Sequence, residues 1–62
     1  MRLNYWAKYF GIPVPVNIDR TNYFVVKDTV LAAMRTFANK RMVLVAKEEI
    51  EEEARAYVQK NL

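Results

Sequence analysis

The sequence predicts a small α+β domain, and three observations carry that reading. Two short runs of β-prone residues, Tyr23–Lys27 and Met42–Ala46, stand on either side of a helix-patterned stretch. The segment Ile12–Val16 reads IPVPV and is extended by construction, because each proline fixes φ and drives the preceding residue out of the helical region. Both ends of the chain carry apolar residues at helical spacing. The expected order is helix, extended Pro arm, strand, helix, strand, helix. The 62 residues make one domain: 1–11 a short amphipathic helix, 12–22 the Pro arm and a turn, 23–62 a strand–helix–strand–helix core.

In chain order, Leu3, Trp6, Ala7 and Phe10 share one face of the first helix, and Gly11 stands where a helix C′ residue is wanted. The IPVPV arm lacks two backbone donors, so it serves as a sheet edge or a polyproline-like arm. Asn17–Asn22 is rich in turn formers whose short polar side chains bond the local backbone. Continuous apolarity in Tyr23–Lys27 implies a strand buried on both faces. Asp28 or Thr29 then caps a helix over Val30–Lys40, whose last residues Lys40 and Arg41 suit the negative end of its dipole. Met42–Ala46 fits a buried strand by its valine content and continuity. Val43, Ala46, Ile50, Ala54 and Tyr57 also keep helical spacing, so one long helix from Arg41 is the alternative. From Lys47 to Asn61 a helix is expected, with Glu in its first turns.

Composition excludes much. There is no Cys and no His, which removes disulfides and zinc sites of the thiolate or imidazole type. With Ser also missing, the usual acyl-transfer nucleophiles and the commonest general base are gone, and no glycine-rich phosphate loop exists around the single Gly11. The reading is a non-enzyme without cofactor or small-molecule substrate. The longest apolar runs are five residues, Met42–Ala46 among them, far short of the ~20 residues of a membrane span. The N-terminus lacks the apolar core of a secretory signal, so a soluble, cytoplasmic protein is expected.

A chain of this size buries only about 60% of the surface its unfolded form exposes. Below roughly 70–80 residues natural domains usually add a disulfide, a metal or a partner. Here the apolar fraction is 53%, and with the first two staples excluded the expectation is completion by a homo-oligomer.

Charge is unevenly placed. Residues 1–47 carry eight Lys/Arg against Asp19 and Asp28, a balance of +6; residues 48–62 carry five Glu against Arg55 and Lys60, a balance of −3. The pairs Glu48/Glu52 and Glu49/Glu53 are spaced for a hard cation, but a solvated helix face with a Glu51–Arg55 ion pair is the simpler reading, and no metal site is assigned. The acidic helix could also meet the basic body of a neighbouring subunit.

Two function classes follow. The first is a small regulatory or accessory protein acting through protein–protein contacts, with itself or another protein, at Tyr5, Trp6, Tyr9, Phe10, Pro13 and Pro15. The second is a basic nucleic-acid-binding protein using Lys8, Arg20, Lys27, Arg35, Lys40 and Arg41, with cations on phosphates and interleaved rings on bases. For the second class the order strand, helix, helix from Tyr23 onward resembles ribbon-helix-helix repressors. The resemblance implies a polar strand and a phosphate-holding second helix; here Phe24, Val25 and Val26 are apolar and the last helix is acidic near its expected start.

Overall fold

The computed structural model describes the backbone of residues 1–60 and the side chains of residues 1–59. It contains three helices, α1 (Arg2–Tyr9), α2 (Tyr23–Met34) and α3 (Lys40–Lys60), and no strand among the described residues. The α+β expectation is therefore overturned: this is an all-helical fold. None of the helices is long and apolar enough to cross a membrane.

Both expected strands are helix. Tyr23–Lys27 is the first part of α2, in which Tyr23, Val26, Val30 and Met34 are the buried residues. Their spacing of three to four draws one stripe down the whole helix, whereas Phe24 and Val25 on its other faces are exposed. Helix propensity disfavours Val and Tyr by at most ~0.7 kcal/mol each. Burying each such side chain contributes about 1.5–3 kcal/mol, so the stripe decides. Asp28 and Thr29 consequently lie within the helix and cap nothing; the Thr29 hydroxyl donates to the Val25 carbonyl at 3.1 Å. Met42–Ala46 lies in α3, where Ala46 is buried while Leu44 and Val45 are exposed.

The break between α2 and α3 falls earlier than the sequence predicts. α2 ends at Met34, and the Thr36 hydroxyl donates back to the Ala33 carbonyl at 2.8 Å. Asn39 starts the next helix: its Oδ1 accepts the Met42 N–H at 3.2 Å, an N-cap bond. Lys40 therefore opens α3 instead of closing α2, and its Nζ donates back to the Arg35 carbonyl at 3.1 Å.

α1 forms as its pattern predicts, burying Leu3, Trp6 and Ala7. It stops in a Schellman motif: Ile12 N–H bonds the Ala7 carbonyl at 2.8 Å and Gly11 N–H the Lys8 carbonyl at 3.1 Å. The motif needs a left-handed residue, and Gly11 supplies φ +69°. The arm that follows alternates: Ile12 is buried, Val14 and Ile18 are half-buried, and Pro13, Pro15 and Val16 face outward. It ends in a reciprocal turn. Asn22 Oδ1 accepts from the Asp19 N–H at 2.8 Å, and Asp19 Oδ1 accepts from the Thr21 N–H and hydroxyl at 2.9 and 2.6 Å.

α3 is the spine. Arg2 and Leu3 meet Glu53 while Trp6 meets Glu49, so α1 runs antiparallel to it. Tyr23 stacks on Tyr57 with ring centroids 4.4 Å apart, so α2, joined to α3 by a short loop, is antiparallel as well. α1 and α2 are thus parallel, and the Pro arm carries the chain back between them. Phe10 and Phe37 close the far end edge-to-face at 5.0 Å.

Candidate functional site

At 3.6 residues per turn, the buried stripe Ala46, Ile50 and Ala54 divides α3 into two flanks. One carries Glu49 and Glu53, a turn apart. The other carries Lys40, Leu44, Lys47 and Glu51 at the same spacing.

The acidic flank holds α1. Glu53 accepts the Arg2 N–H at 2.7 Å and the Leu3 N–H at 3.1 Å, satisfying donors that the first turn of α1 leaves unpaired. The same carboxylate accepts the Tyr23 hydroxyl at 2.8 Å. Glu49 accepts the Trp6 indole N–H at 2.9 Å, and Glu52 pairs with the Arg2 guanidinium at 2.6 Å. The bond to Arg2 and its charge lower the Glu52 pKa and, reciprocally, raise that of Arg2. Burial, then the bond to Glu53, lifts the Tyr23 phenol above the ordinary tyrosine range. The Glu run is thus a clamp between helices. The expected solvated helix start is corrected, because α3 begins at Lys40 and these residues lie in its middle. Glu51 and Arg55 form no ion pair among the described residues.

The opposite flank is open. Between the end of α2 and the start of α3 runs a groove lined by Leu31, Met34, Val43 and Leu44, with Arg35, Lys40 and Lys47 on its edges and Glu51 at its lower end. Lys27, Ala54, Arg55 and Val58 continue it past Glu51. Leu44 is 60% exposed. No aromatic side chain lines either part. Among the described residues, Arg35, Lys40 and Lys47 have no carboxylate partner, and Lys27 reaches only its neighbour Asp28 at 3.9 Å.

The residues singled out from sequence disperse. Tyr5 and Tyr9 stand on the outer face of α1, 60% and 54% exposed, and Trp6 between them is 5% exposed. Phe10 is half-buried against Phe37, and Pro13 and Pro15 are exposed on the arm. Of the basic set, Arg35 and Lys40 edge the upper part of the groove and Lys27 lies in the part past Glu51. Lys8 lies beside the arm. Arg20 is exposed in the turn, and Arg41 faces away from the core of α3. Sequence reading missed Lys47, Leu31, Val43 and Leu44. Their signal was the spacing 40, 43/44, 47, 51, which becomes legible once α3 starts at Lys40. Compared with protein-family models, curated proteins and solved structures, the chain matches none.

Proposed function

We propose that this protein is a non-catalytic binding module that docks other proteins in its α2–α3 groove. The observation that carries this is an apolar floor open to solvent between two packed helices, edged by Arg35, Lys40 and Lys47, which have no carboxylate partner among the described residues. The absence of Ser, Cys and His supports the non-catalytic part, and the Thr29 and Thr36 hydroxyls donate to backbone carbonyls within one turn. A photo-crosslinking residue at position 44, introduced in living cells, tests it. Protein adducts that disappear in the Lys47→Glu background are expected, and adducts that survive that change overturn the assignment of the groove.

A second reading, nucleic-acid binding, draws support from the same groove, which gathers Lys27, Arg35, Lys40, Lys47 and Arg55. Gel-shift titration at two salt concentrations separates the two. Steep loss of binding with added salt supports nucleic acid, and absence of binding at low salt removes it.

A further inference from the structure

Resting on the docking reading, we infer that the groove's occupant is an acidic amphipathic helix of a different protein. Shape comes first. The groove follows the axes of two antiparallel helices, and a third helix laid along it packs at ordinary interaxial distance against both. Its floor accepts apolar residues at i, i+3, i+4 and i+7, the helix-in-groove mode of recognition.

Charge selects among such helices. Arg35, Lys40 and Lys47 edge the upper part and Lys27 and Arg55 the lower, against Glu51 alone. Glu or Asp flanking the apolar stripe of the incoming helix meets these cations.

A second copy of this chain does not supply that helix. Of the five Glu in its α3, Glu49, Glu52 and Glu53 are engaged with α1 and Glu51 lines the groove itself, which leaves Glu48 alone to meet the cations. Nucleic acid fits less well, since no ring lines the groove to stack on a base, and Tyr5 and Tyr9 stand on α1, which packs on the other flank of α3.

The test titrates the full chain, 15N-labelled, with three synthetic peptides of about 18 residues, or five helical turns. One places Leu on one face and Glu on its borders, one exchanges every Glu for Lys, and one carries a central proline. The acidic peptide is expected to shift the amides of Leu31, Val43, Leu44 and Lys47 and to bind at least about tenfold more tightly than the Lys version. Lys47→Glu and Leu44→Glu should each weaken it about tenfold or more while leaving the thermal melt unchanged; Tyr5→Ala, on the other flank, should leave binding intact. Equal groove binding by both charged peptides overturns the acidic partner but leaves the docking reading standing. So does concentration-dependent sedimentation abolished by Leu44→Glu, which makes the occupant a second copy. Failure of all three peptides together with groove shifts from a single-stranded oligonucleotide overturns both.

Discussion

Removing the Glu53 carboxylate is the perturbation that probes the fold most directly. In Glu53→Ala, the Arg2 and Leu3 amides lose their acceptor, equivalent to deleting a helix cap at about 0.5–2 kcal/mol. The Tyr23 hydroxyl, on a fully buried side chain, loses its partner at a cost of about 1–3 kcal/mol. The Ile50 carbonyl, 3.4 Å from that hydroxyl, remains as a weaker acceptor and keeps the second cost in the lower half of its range. The sum is roughly 1.5–4 kcal/mol, against a total stability of roughly 3–9 kcal/mol for a chain this size. Glu53→Gln retains one acceptor oxygen and should cost about 1 kcal/mol. Urea melts followed by Trp6 fluorescence and far-UV circular dichroism measure the loss, and amide exchange should show α1 opening before α2 and α3. Arg2→Ala, which removes only an exposed ion pair, should leave the melt where it is. A Glu53→Ala melt within about 0.5 kcal/mol of the parent, the range of an ordinary surface change, refutes the clamp.

Three further outcomes follow from named contacts. Asn39→Ala removes the cap of α3 and should destabilise by about 0.5–2 kcal/mol in the same urea melts. Gly11→Ala should cost about 1–2 kcal/mol from the left-handed backbone alone, because an added Cβ there meets nothing within 4 Å; a loss well above that would place a steric conflict at the Schellman turn. The pH dependence has opposite signs at its two ends. Tyr23 has a raised pKa, so its contribution is complete below about pH 10 and is lost as pH rises beyond it; thermal melts of Tyr23→Phe should lack that alkaline decline. Glu52 and Asp19 have lowered pKa values, Glu52 through Arg2 and Asp19 through the Thr21 hydroxyl, so their contributions hold above about pH 4 and are lost as acid protonates the folded state.

The parts of the fold legible from sequence were those decided within one turn of chain. α1 was readable from four apolar positions and a following glycine, and the Asn17–Asn22 turn from its Asx residues. The two strand assignments failed because β-propensity is a local statement, whereas Tyr23, Val26, Val30 and Met34 are fixed by contacts with α1 and α3. Reading the spacing backward from Val30 through Val26 to Tyr23 would have exposed the helix. The candidate site suffered from the same error of register. With α3 started at Lys47, the Glu run looked like a solvated helix N-terminus. Started at Lys40, the same residues fall mid-helix, with Glu49 and Glu53 aimed at α1 and Lys47 and Leu44 aimed away from it.

That register also bears on how so small a core is held. Size and composition call for a staple beyond a thin core. The structure contains one: hydrogen bonds from Arg2, Leu3, Trp6 and Tyr23 to Glu49, Glu52 and Glu53 join residues 30 to 51 positions apart. Long-range ties of this kind fix the two ends of the chain against each other once the loop-closure entropy has been met, a cost that grows only slowly with loop length. They also leave no buried side-chain donor or acceptor unpaired among the described residues. Glu49, Glu52 and Glu53 serve one flank of α3, and Arg35, Lys40 and Lys47 on the other side have no carboxylate partner among the described residues. Internal stapling and an open basic groove are therefore two consequences of one arrangement.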